Sequence, residues 1–266
     1  MNYIKITSPS NPKIKEALDI KNRRSKYKSN AFIIEGPHLI EMAIASGHQI
    51  KEVFFTNTFS AKKDGQRLIR QISKYTNDIF EITERLLSKL TDTETPQGIL
   101  AIASYTPKNL EDIRFKSVPL IVIIDGVQEP GNLGAIIRTS DAAGADAVII
   151  LKGTCDVFMQ KTLRATAGSI FNMPIVHAET GALLEWLASK GIRLSVTAVD
   201  GRTSIFDADL KNAVAFVFGN EAHGVSSQMK KNAGFILKIP IFGKTESLNV
   251  STSAAVCLYE AVRQRL

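Results

Sequence analysis

Three common signatures of nucleotide and hydrolase chemistry are missing from this chain. No GxGxxG follows a hydrophobic run, no GxxxxGK[ST] occurs, and no GxSxG is present. The dinucleotide, NTPase and serine-hydrolase readings therefore lack the glycines and nucleophile they need. Cysteine is scarce: Cys155 and Cys257 stand far apart, without CxxC spacing or a nearby histidine cluster. That excludes a disulfide framework and a structural zinc site, so no metal is expected. No apolar run approaches the roughly 20 residues that cross a bilayer, and the opening MNYIKITSPSNPK lacks the apolar core of a secretory signal. The expectation is a cytoplasmic protein with no membrane partner, in a reducing compartment.

What is present suits two domains. At 266 residues and 44% hydrophobic content, the chain holds apolar material for two modest cores. The net charge of +7 is concentrated at one end, because residues 1–28 carry eight basic side chains against Glu16 and Asp19. Charge alone is equally consistent with a solvated amphipathic helix and with a surface that grips a polyanion.

Short strand patterns at 31–36, 50–56, 78–82 and 98–104 alternate with helical patterns at about 10–28, 37–46, 60–75 and 83–91, which describes a small α/β layer. The polar stretch YTPKNLEDIRFKSV (105–118) interrupts the pattern, and a domain boundary is expected there. We expect domains at 1–105 and 118–266 with a linker at 106–117. The second half has apolar strands at 120–125, 148–151, 173–177, 194–199, 214–219 and 235–242, separated by helices, the last from about 250. Strands apolar along their whole length predict a parallel, doubly wound sheet, whose ligands bind beyond the carboxyl ends of the strands.

Three segments follow such strands. DGVQEPGNLGAIIRTSDAAG (125–144) places Arg138 one helical turn after Gly134; FGNEAHGVS (218–226) runs from a buried strand into Asn220 and Glu221; KIPIFGKTESLNVSTSAAVCLYEA (238–261) sets Ser247, Leu248 and Asn249 ahead of an Ala-rich helix. Each taken singly is also an ordinary turn, strand end or N-cap. Their common placement of Asn, Arg, Glu and Ser at one sheet end is what points to a site.

Together the three resemble the signature motifs of the SpoU, or TrmH-like, branch of the SPOUT RNA methyltransferases, over about residues 118–266. Asn132, Gly134 and Arg138 match N-x-G-x-x-x-R; Gly219, Asn220, Glu221 and Gly224 match G-N-E-x-x-G; Ser247 to Ser251 match S-L-N-V-S. The leading segment, through FIIEGPHLIEMAI (32–44), is similar to the L30e-like substrate-binding domain of many such enzymes. The resemblance implies an α/β fold: a SPOUT domain with a parallel sheet and a deep trefoil knot, behind a smaller N-terminal α/β domain. It also implies a homodimer, S-adenosylmethionine as methyl donor, and transfer to a ribose 2′-hydroxyl. Ribosomal RNA of the large subunit is favoured over tRNA as the target, because the shorter tRNA enzymes generally lack the leading domain.

Residue by residue, the resemblance assigns Thr197, Gly219, Ile239 and Leu248 to the cofactor, and Asn132, Arg138, Glu221, Ser247 and Asn249 to the reacting ribose. Arg138 is not read as a literal base, since a guanidinium stays protonated; it is expected to fix a phosphate or stabilise a developing alkoxide. Glu221 either accepts the proton or orients Asn132 and Arg138. His177 and His223 are read as structural or pocket-lining groups. Arg23 and Arg24 are the expected phosphate contacts to RNA. A base-methylating enzyme of the same class, a tRNA 2′-O-methyltransferase and a non-catalytic RNA-binding protein are the competing readings.

Overall fold

The computed structural model describes residues 3–22 and 30–266. The chain divides between Thr106 and Pro107 into two compact units.

The first unit contains β1 (Ile4–Ile6), α1 (Pro12–Lys21), β2 (Ala31–Glu35), α2 (Pro37–Ala45), β3 (Ile50–Thr56), α3 (Asn57–Ser60), α4 (Lys63–Ile72), β4 (Ile79–Ile82), α5 (Glu84–Leu90) and β5 (Ile99–Ser104). Its sheet has the order β1-β4-β3-β5-β2, and β5 runs antiparallel to both of its neighbours. Asn11 caps α1 through a bond from the Lys13 N–H and Pro12 supplies its pre-set first turn, while Ile14, Ala17 and Ile20 bury one face against Phe54, Phe80 and Ile102. The basic opening segment is partly consumed by this packing. Lys5 pairs with Glu81, Lys13 with Glu52 and Lys21 with Asp92, and Lys21 also donates to the carbonyls of Lys89 and Thr91. Arg23 and Arg24 lie outside the described residues.

The second unit begins with a 3-10 turn, Leu110–Asp112. It continues as β6 (Leu120–Asp125), α6 (Pro130–Ala142), β7 (Ala147–Ile150), α7 (Gln160–Thr166), β8 (Ile175–His177), α8 (Thr180–Ser189), β9 (Arg193–Thr197), β10 (Thr203–Ser204), β11 (Val214–Gly219), α9 (Ser227–Lys231), β12 (Phe235–Lys238) and α10 (Val250–Arg265). The strand order is β10-β12-β9-β11-β6-β7-β8 and every pairing is parallel. β6, β7 and β11 are buried nearly end to end because both faces are covered. Ile121, Ile123, Ile149 and Val217 meet Leu183, Trp186 and Leu187 of α8 and Met229 of α9 on one face. α6 and α10 pack together on the other. Ile113, within the stretch expected as a linker, is buried in the core under α8.

Register matters for the site. Gly219 stands beside Asp125 and Leu237 beside Thr197, so β6, β11, β9 and β12 release their chains at one edge of the sheet. The strand expected at 235–242 ends early, at Lys238. Pro240 has no N–H to give to the ladder, and residues 239–249 leave the sheet as a loop. Among the described residues, no helix is long and apolar enough to cross a membrane.

Candidate active site

The loops that follow β9, β11 and β12 enclose a cavity of about 670 Å³. Thr197, Gly219, Ile239 and Leu248 all line it, as do Glu221, Ser247 and Asn249. Thr197 spends its hydroxyl on the sheet, donating to the Val217 carbonyl at 3.1 Å, so what it offers the cavity is its place at the strand end.

A chain of hydrogen bonds joins the three motifs. The Asn132 side-chain amide, in the first turn of α6, donates to Glu221 Oε1 at 2.9 Å, and the Asn249 amide donates to Asn132 Oδ1 at 3.0 Å. Asn249 Oδ1 caps α10 by accepting from the Ser251 and Thr252 N–H groups, and it also accepts from the Ser251 hydroxyl. Glu221 accepts two further bonds, from the backbone N–H groups of Gln128 and Glu129. Residues 89 and 117 positions apart in sequence are thereby brought side by side.

The same bonds bear on the ionisation of Glu221. Partial burial opposes its ionisation, but the bonds from Asn132, Gln128 and Glu129 outweigh it and hold the carboxyl below the usual glutamate range. With three donors accepted, the Glu221 carboxylate holds the loop after β6 against the loop after β11.

Arg138 is placed differently. It lies on an exposed position of α6, and among the described residues no hydrogen bond or ion pair ties it to Asn132, Glu221 or Asn249. Gly134, one turn earlier, packs on α7: a Cβ there would lie 2.5 Å from Ala165 Cβ and from the Thr162 carbonyl oxygen. His223 lines the cavity, and its N–H joins that of Ala222 in donating to Asn220 Oδ1. His177 ends β8, away from the site strands.

Two further side chains tie the site loops together, Asn220 of the second motif and Asp125, which no motif includes. Asn220 clasps the loop after β6 by donating to the Gly126 carbonyl, and Asp125 accepts from the Ser226 N–H at 2.7 Å, fixing the start of α9. A charged residue closing the otherwise apolar run LIVIID was the one available hint for Asp125. Gly219 is required by its own turn. A Cβ there would sit 2.3 Å from the Gly224 carbonyl carbon and the Val225 nitrogen, within its own turn.

The residues present fit an adenosine-bearing sulfonium. The volume is in the range of about 300–1,000 Å³ usual for such ligands. Val225, Ile239 and Ile241 give apolar walls, and Asp200 and Glu246 bring negative charge suited to a cation. Among the described residues, the backbone N–H groups of Ile239, Ile241 and Leu248 find no acceptor within the chain, which leaves them available to the edges of a purine. Also among the described residues, no group of three or more His, Cys, Asp or Glu is arranged to hold a metal ion.

Comparison with known proteins bears directly on this arrangement. Residues 119–259 match the SpoU rRNA Methylase family, and residues 11–101 match the MRM3-like substrate binding domain. A 23S rRNA (guanosine(2553)-2′-O)-methyltransferase of Bacillus subtilis is 34% identical over 96% of this chain and 97% of its own. A 23S rRNA (uridine(2479)-2′-O)-methyltransferase of Streptomyces viridochromogenes is 28% identical over 92% of this chain and 87% of its own. An AdoMet-bound rRNA methyltransferase from Sinorhizobium meliloti superposes with a TM-score of 0.88 at 30% identity, covering 98% of each chain.

Proposed function

This chain belongs to the SpoU rRNA methylase family, and on that premise we propose that it transfers a methyl group from S-adenosylmethionine to a ribose 2′-hydroxyl of 23S ribosomal RNA. The single observation that carries the reading is the hydrogen-bonded set Glu221–Asn132–Asn249, whose two outer members, Glu221 and Asn249, line a cavity suited to that donor. Similarity to ribosomal RNA enzymes extends over nearly the whole chain, both units included, which favours ribosomal RNA over tRNA.

When bound, the sulfonium donor supplies an activated methyl group whose departure requires no proton. The protein's task is then to exclude water, place the 2′-oxygen in line and stabilise charge on it. Thr197, Gly219, Ile239 and Leu248 hold the donor by backbone and apolar contact. Glu221 fixes the orientation of the Asn132 amide, and Asn132 in turn fixes Asn249, so both amides meet the ribose pre-oriented at no further entropic cost. Ser247, on the same wall, contacts the sugar. Arg138 stabilises the developing alkoxide or the adjacent phosphate as a permanent cation.

The exposed position of Arg138 is accommodated by a homodimer in which Arg138 of one protomer serves the cavity of its partner. Arg23 and Arg24 grip RNA phosphates, which adds affinity without sequence choice. The loops around the cavity form the trefoil knot that characterises this fold, and the protein works in the cytoplasm.

The test is direct. Purified protein incubated with ribosomal RNA and labelled S-adenosylmethionine should yield RNA resistant to alkaline cleavage at one linkage, because a 2′-O-methyl group removes the internal nucleophile. A labelled product that remains alkali-sensitive at that position would transfer the activity to a base. Arg138→Ala should abolish methylation while leaving fold and cofactor binding intact, and near-normal turnover would remove Arg138 from the reaction.

A further inference from the structure

The donor proposed above carries an amino-acid tail with a carboxylate, and an anion drawn into a partly enclosed cavity needs a cation to meet it. The charged side chains of the cavity wall are Asp200, Glu221, Glu246 and Lys230. Three of the four are carboxylates, and Glu221 is already engaged by Asn132, Gln128 and Glu129. Among the described residues, Lys230 is the only lysine or arginine of the lining.

Its surroundings leave it available. Lys230 is half-buried, and among the described residues no carboxylate or carbonyl bonds its ammonium, even though carboxylates share the same wall. Its backbone is firmly set. Ser226 caps α9 and is itself held by Asp125 at the end of β6, and the preceding Met229 is fully buried in the core. A long side chain thus projects from an anchored base, so fixing its charged end costs rotamer freedom without any added ordering of the backbone.

We propose that Lys230 is the specificity-determining residue for the donor's tail, pairing with its carboxylate, while Asp200 and Glu246 favour the tail's ammonium. This rests on the reading of the cavity as the methyl-donor site, and it adds a residue outside the three motifs that define that reading. A zwitterion then finds both of its charges matched on one wall, and a bare adenosine thioether finds neither match.

S-adenosylhomocysteine and 5′-methylthioadenosine, two neutral adenosine thioethers that differ in the tail alone, decide the matter. Calorimetric titration of the intact protein compares S-adenosylmethionine and S-adenosylhomocysteine with 5′-methylthioadenosine, which lacks the amino-acid tail. Lys230→Met should weaken the two tailed ligands by about ten- to a hundredfold and leave methylthioadenosine unchanged; Lys230→Arg should restore most of the loss. Unchanged methylthioadenosine affinity also certifies that the variant is folded. Equal weakening of all three ligands, or of none, overturns the proposal. Unchanged donor affinity together with a raised KM for RNA overturns it in favour of a phosphate contact. A wild-type protein that binds none of the three overturns the donor-site reading as well.

Discussion

Asn249 does two jobs with one amide: its oxygen caps α10 and its nitrogen holds Asn132. The two separate by substitution. Asn249→Asp keeps an equally good cap but loses the donor and sets a carboxylate beside a network that already contains Glu221. Its melting temperature should stay near the wild-type value while methyl transfer falls by about a hundredfold. An equal fall of both would make the residue structural. Glu221 predicts a pH effect of known sign. Its carboxyl is held below the ordinary value of 4.5 by its three donors, so the stability it adds is present above that value and is lost as pH falls through the folded one. Glu221→Gln should cost about 0.5–1 kcal/mol near neutrality, a small figure because the group is partly solvated. The gap from wild type, read from urea midpoints, should close as pH drops below 4.5. At this scale the motif side chains were legible because spacing and residue type announce them. The N–H donors of Gln128 and Glu129 were not, since a backbone amide leaves no trace in composition.

α6 carries both Asn132 and Arg138, and its seat on α7 depends on Gly134. Gly134→Val should drive the two helices apart at a cost of about 1–3 kcal/mol. Thermal unfolding should fall by about 2–4 °C for each kcal/mol lost, and methylation should fall with it as the helix shifts. A variant with normal melting and activity would mean the helices yield without consequence. Long apolar strands such as β6 and β11 could be read from sequence to the residue, because both their faces are buried and the pattern is uninterrupted. β1 and β10 could not. They are three and two residues long and exist through parallel pairing with Phe80 and Leu237, far away in the chain. The early end of β12 was visible only as Pro240, a residue whose effect depends on whether the ladder needs its missing donor.

For the whole molecule, the proposed exchange of Arg138 between protomers predicts complementation. Neither Arg138→Ala nor Asn249→Ala should methylate alone. Equal mixing with subunit exchange should restore about one quarter of wild-type activity, because half of the dimers are mixed and each holds one complete site. No recovery, with exchange verified by mass, would place Arg138 and Asn249 in the same protomer's site. Parallel topology and two-unit organisation were legible from the order of apolar runs, whereas subunit assembly is written in exposed residues that periodicity does not resolve.

The bonds from Gln128 and Glu129 to a carboxylate more than ninety positions later have a practical use. Both amides lie in a loop outside any strand, and what shields them from solvent deuterium is the docking of Glu221. Their exchange rates therefore read out, without any substrate, the fraction of time the two loops are clasped. A catalytically silent preparation can in this way be sorted into one whose site is assembled and one whose site has come apart.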